Sequence, residues 1–161
     1  MFGRSKTPGN PLWELRASLL AGSPEFAAIP SVEGTSVWGV LMETGHAEGP
    51  VTLHVLGDGT TSLYLPNGGG IIGAGEKVAV RAAGAALMIT ADAMRSDFSP
   101  ALDTGFPSAD RVRIFVLAQD GVLMAEESEQ SLGTGSGPLS VVFHAGHAVI
   151  TQIRLMAQGG Q

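Results

Sequence analysis

Residues Thr61 to Arg95 read TSLYLPNGGGIIGAGEKVAVRAAGAALMITADAMR, and the order of parts within them decides the fold. Thr61, Leu63 and Leu65 alternate with Ser62 and Tyr64, the period of a strand with one covered face. The period then changes. Val80, Ala83, Leu87, Ala91 and Met94 fall on one stripe of a helix spanning Glu76 to about Arg95, with Lys77, Arg81, Asp92 and Arg95 off it. Between the two lies Asn67-Gly68-Gly69-Gly70-Ile71-Ile72-Gly73-Ala74-Gly75. Five glycines in nine residues mean backbone at unusual φ, or backbone that something else must approach closely.

Working outward, the upstream segments read as strands. Val37 to Met42 is continuously apolar, which suits a strand covered on both faces. Val51, Leu53 and Val55 alternate with Thr52 and His54, a half-buried strand. Gly57-Asp58-Gly59 joins it to the strand from Thr61 as a hairpin, so the three form a meander. Downstream, Ser99 to Asp110 is a loop with two prolines. Val112, Ile114 and Val116 then begin a hairpin that turns at Gln119-Asp120-Gly121 into Val122 to Ala125. The acidic run Glu126, Glu127 and Glu129 and the Gly/Ser stretch 133–137 close it.

The ends of the chain supply helices. Pro11 fits a first helical position, and Leu12, Leu15, Leu19 and Leu20 recur at helical spacing up to Gly22. After Pro138, residues Leu139, Val142, Phe143, Val149, Ile150 and Ile153 share a helical face, while the β-branched content of 148–156 leaves a strand open as the alternative. Residues 1–10 and 158–161 are expected as tails around one domain, 11–157. A three-strand meander, a helix and a hairpin give an α+β fold with about five strands, antiparallel or mixed, and helices packed on the sheet. The element order distantly resembles the profilin-like and Roadblock type of small interaction domain. The Roadblock arrangement places two strands before its central helix and three after, and this chain does the reverse. The resemblance carries over no functional residue.

Composition narrows the function classes. Hydrophobic residues make up 44% and the mean hydropathy is +0.24, so the chain folds. Charged residues are only 15%, against about 25% in ordinary soluble domains. Such a surface is expected to hide part of itself in a homo-oligomer or against a protein partner. A net charge of −6 argues against a nucleic-acid partner and a polybasic membrane contact. The absence of cysteine excludes disulfides, thiolate metal sites and cysteine nucleophiles. Met1 to Lys6 lacks an apolar run behind its basic residues, so no signal peptide is expected, and a cytoplasmic protein is.

The glycine loop is the one candidate binding element, with Asn67, Gly68, Gly69, Gly70 and Gly73 as the residues that would present backbone to an anion at a helix N-terminus. Gly68, Gly70 and Gly73 match the spacing of a dinucleotide fingerprint, but the unit around them does not. Asp92 falls inside the helix, and the next strand begins only near Arg111. No Lys-Ser/Thr pair follows Gly75, so the phosphate-loop pattern fails as well, and Glu76 would repel an anion. His144 and His147 are three apart on the last helix, yet two ligands without a third do not specify a metal. His46 lies between Glu43 and Glu48 in an expected polar turn, and His54 is isolated in sequence. Ser128 and Ser131 sit among acidic residues, unsuited to a nucleophile. No cofactor and no metal is expected. Ala79, Ala82, Ala83, Gly84, Ala85 and Ala86 on the central helix would admit another backbone closely, from the sheet or from a second copy.

Overall fold

The computed structural model describes residues 11–159. The expected tail at 1–10 and residues 160–161 lie outside the described residues. Seven strands form one antiparallel sheet: β1 (Val37–His46), β2 (Gly49–Leu56), β3 (Thr61–Tyr64), β4 (Gly70–Ile71), β5 (Ser99–Pro100), β6 (Arg111–Ala118) and β7 (Gly121–Ser128). Their spatial order is β4-β3-β2-β1-β6-β7-β5. The expected five strands are the five long ones. The two beyond that count, β4 and β5, hold two residues each, too short for any period to show, and Pro100 gives one of them no amide to donate.

Among the described residues four α-helices accompany the sheet: α1 (Pro11–Ala21), α2 (Val78–Ala93), α3 (Glu129–Thr134) and α4 (Pro138–Gly159). Residues 148–156 are helical, which settles the open alternative, and α4 runs on through Gln158 and Gly159. Val142, Phe143, Val149, Ile150 and Ile153 are all buried along it. Burying that stripe outweighs the few tenths of a kcal/mol that β-branched residues cost a helix. The short α3 was not anticipated. It begins where the Ser128 hydroxyl accepts the Ser131 amide, an N-cap hidden in what reads as an acidic tail.

Alternation along the strands builds two cores. Val40 and Met42 of β1, Leu53 and Val55 of β2, and Val112, Ile114 and Val116 of β6 face α2 and α4 in the larger one. Gly84 of α2 and Gly146 of α4 make that approach close, since a Cβ on either would press into Val55 or Met42. Leu41, Leu56, Phe115 and Leu117 point the other way and meet Leu19 and Leu20 of α1 in the smaller core. The continuous apolar run in β1 is therefore covered on both faces, as its pattern implies. The reading of β2 as half-buried is corrected: Thr52 and His54 are 2% and 1% exposed. They lie on the α1 side of the sheet, a cover that alternation within one strand cannot reveal.

Candidate functional site

Register places polar residues side by side beneath α1. Tyr64 of β3 faces Thr52 of β2, Thr52 faces Glu43 of β1, Glu43 faces Arg113 of β6, and Arg113 faces Glu126 of β7. A polar row thus crosses five strands. One row along, Ser62, His54, Leu41, Phe115 and Met124 are paired in the same way. Glu43 was expected in a turn with His46 and Glu48. Instead β1 extends to His46, and the carboxylate of Glu43 is fully buried while His46 and Glu48 are exposed.

A buried carboxylate needs a cation, and α1 supplies it. Arg16 donates from Nε to Glu43 Oε2 at 2.6 Å and from Nη2 to Glu43 Oε1 at 2.8 Å, a two-pronged pair with both residues buried. Nη2 also donates to the Thr104 carbonyl at 2.7 Å, and the guanidinium lies 3.9 Å from the centre of the Phe106 ring. The Thr52 hydroxyl donates to Glu43 Oε2 at 3.1 Å. One arginine therefore ties α1, strand β1 and the 101–110 loop together. The rest of the row is half-exposed: Arg113 donates to Glu126 at 2.6 Å and to Asp103 at 3.3 Å, and Arg111 donates to Glu126 at 2.9 Å. The bond from Arg113, followed by that from Arg111, holds the Glu126 carboxyl below its usual range.

His54 is the unusual member. Its ring meets Tyr64 edge-on at 5.1 Å, and its Nε2 is buried with no hydrogen-bond partner among the described residues. Burial first, and the charge of Arg16 second, lower its pKa from 6.5 to about 4. The neutral ring is the folded form, so the effect on stability has a definite sign. Above pH 6.5 neither state takes a proton. As pH falls from there to about 4 the unfolded chain binds one that the folded chain does not, and stability drops by about 3 kcal/mol in all. Parent and His54→Leu should therefore diverge between pH 6.5 and 4 in urea melts, the variant losing less. Parallel curves across that window would show that His54 does not titrate as its burial demands.

The glycine loop is built by its own bonds. The Asn67 side chain accepts the Gly69 amide at 2.8 Å, Gly70 enters β4 opposite Tyr64, and Leu65 donates to the Gly69 carbonyl. Gly68 and Gly73 hold φ of 89° and 76°, where a Cβ is unwelcome. Gly68, Gly69 and Gly70 border a cleft of about 230 Å³ with Pro11, Leu12, Leu15, Tyr64 and Ile72. Of the five sequence candidates, Gly68, Gly69 and Gly70 line this cleft and Asn67 and Gly73 do not, and the walls opposite are apolar.

The third feature is the outward side of α2. Val78 and Ile89 are 85% and 50% exposed, and Ala79, Ala82, Ala86 and Ala93 are exposed on the same side. Ala83 and Gly84 turn inward toward the core instead. Of the α4 histidines, His144 is exposed and His147 is half-buried, with its ring 4.5 Å from that of Phe143. Among the described residues no three of His, Asp and Glu come together as a metal cluster, and no helix is long and apolar enough to cross a membrane. No protein-family model matches the chain, and no curated protein or solved structure matches it either.

Proposed function

We propose that this is a non-enzymatic interaction module that self-associates through the outward face of α2 and acts as a scaffold for a protein partner in the cytoplasm. The observation that carries the reading is the composition of that face. A solvent-exposed helix ordinarily alternates an apolar stripe with charges. On α2 the inward stripe is apolar and the outward one, from Val78 through Ala82 and Ala86 to Ile89, is apolar too. Small residues there let two helix axes come close. Beside it on α4, Val141 and Leu155 are 40% and 54% exposed, which widens the apolar surface of the helical layer. The low charge content of the whole chain has the same sense. The profilin-like outline, found in small interaction domains, agrees as an analogy of element order.

A second reading, an anionic ligand held by Asn67, Gly68, Gly69, Gly70 and Gly73, rests on the cleft that the loop borders. Its apolar walls and the nearby Glu76 favour it less. A thermal-shift series with phosphate and nucleotides would report it, since a ligand at a hundredfold excess over Kd adds about 2.7 kcal/mol.

The self-association reading is tested by light scattering at micromolar concentration. The expected mass is at least twice the 16.5 kDa of one chain. Ala86→Glu, which sets a charge in the middle of the exposed stripe, should return it to one chain with the circular dichroism unchanged. A parent that scatters as a single chain would refute the proposal. Ala83 is unsuited to the test because it packs inward.

A further inference from the structure

We propose that α1 is a latch, undocking together with the 101–110 loop and separately from the rest of the domain, to uncover the polar face of the sheet. Five observations on the molecule lead there. The core that α1 completes is small, six buried side chains, of which α1 itself contributes Leu19 and Leu20. The face beneath it is polar along one side: Glu43, Thr52, His54 and Ser62 are buried there, next to the apolar Leu41, Phe115 and Leu117 that Leu19 and Leu20 cover. Arg16 fastens α1 to that face, and the same guanidinium holds Thr104 and stacks on Phe106. Trp13 of α1 meets Phe106 at 5.9 Å, so the helix and the loop are fastened to each other as well as to the sheet. Lastly, the segment 22–36 that leads from α1 to β1 is anchored on its own, with Phe26 stacked on Trp38 of β1 and Ile29 packed on the small core. Gly22 and Ser23 alone separate α1 from the turn Pro24–Phe26, so α1 can leave at that joint without pulling on β1.

A buried ion pair is weak evidence for stability, because apolar residues of the same volume often hold a core better. A face kept permanently dry gains little from Glu43 and His54. A face that is sometimes wet loses little by having them, and Arg16 then sets where α1 returns. Segments that open locally are those with few buried apolar contacts, which describes α1 and its loop rather than β1, β6 or α4.

Hydrogen exchange read by mass spectrometry on the native protein at neutral pH tests the latch. Peptides covering 12–21 and 101–110 should exchange together, at least about tenfold faster than peptides from β1 and β6. Phe106→Ala, which trims a half-exposed ring, should speed those two regions severalfold. Arg16→Gln should speed them by about tenfold or more, with β1, β6 and α4 unchanged within about twofold. Equal rates for α1 and β1 in the parent would overturn the proposal. So would acceleration of every region by Arg16→Gln, or failure of that variant to fold, because a latch confines the loss to itself.

Discussion

Glu43→Ala is expected to weaken the docking of α1 by about 3–5 kcal/mol, because it leaves the Arg16 guanidinium buried without its counter-charge. Arg16→Met should cost a similar amount for the mirror reason: Glu43, fully buried, would keep one hydroxyl bond from Thr52 and lose both from arginine. The double variant Arg16→Met/Glu43→Leu replaces the pair by apolar side chains of similar length. It should recover the parent's stability to within about 1 kcal/mol. The measurement is a double-mutant cycle in urea, followed by tryptophan fluorescence, in which Trp13 reports α1 directly. Where α1 undocks ahead of the domain, the Trp13 signal moves in an earlier transition and the loss in global stability stops at the undocking free energy. Single variants that melt with the parent would mean that the pair is a surface-like contact worth under about 1 kcal/mol.

The second large effect belongs to the glycine loop. A Cβ on Gly75 would stand inside the carbonyl oxygen of Gly59, and backbone meeting backbone has no side-chain rotation to relieve it. Gly75→Ala should therefore cost more than the 1–3 kcal/mol typical of a modest overpacking, roughly 3 kcal/mol or more. Gly68→Ala meets nothing within 4 Å and pays only for its φ of 89°, about 1–2 kcal/mol. Equal losses at the two positions would show that the close contact between the loop and the β2–β3 turn does not hold in solution. Gly73→Val belongs with Gly68, since open space surrounds it, while Gly70→Val belongs with Gly75, since its Cβ would meet the Leu63 carbonyl.

The comparison also shows what the sequence made legible. Two periods, 2.0 in Thr61–Leu65 and 3.6 in Val80–Met94, were enough for the meander, the central helix and the α+β class, although the strand ends at Tyr64, Ser62 is buried and Leu65 is 40% exposed. The polar row was not legible. Arg16, Glu43, Thr52 and Arg113 are scattered over about a hundred residues, and only strand register brings three of them side by side while α1 adds the fourth, with His54 one row along. One signal existed: β1 carries Glu43 directly after a fully apolar run, and Arg16 interrupts the apolar stripe of α1 between Leu12, Leu15 and Leu19. A charge on an inward position of each of two elements is what a buried pair looks like from sequence. The small residues of α2 were legible as a set but not by side. Ala83 and Gly84 serve the sheet, and Ala79, Ala82 and Ala86 face away from it.

Self-association along that outward face is the central claim, and the absence of cysteine from the chain makes it directly testable. At a two-fold interface the residues nearest the axis meet their own copies, so a single cysteine there can bond to itself across the dimer. Ala82→Cys, Ala86→Cys and Ile89→Cys are to be oxidised under mild conditions beside Thr151→Cys, an exposed position on α4. The account expects at least one of the three α2 variants to run as a covalent species of twice the 16.5 kDa chain mass at micromolar concentration, with Thr151→Cys remaining single. Single chains from all three α2 variants, or equal cross-linking from Thr151→Cys, would contradict it.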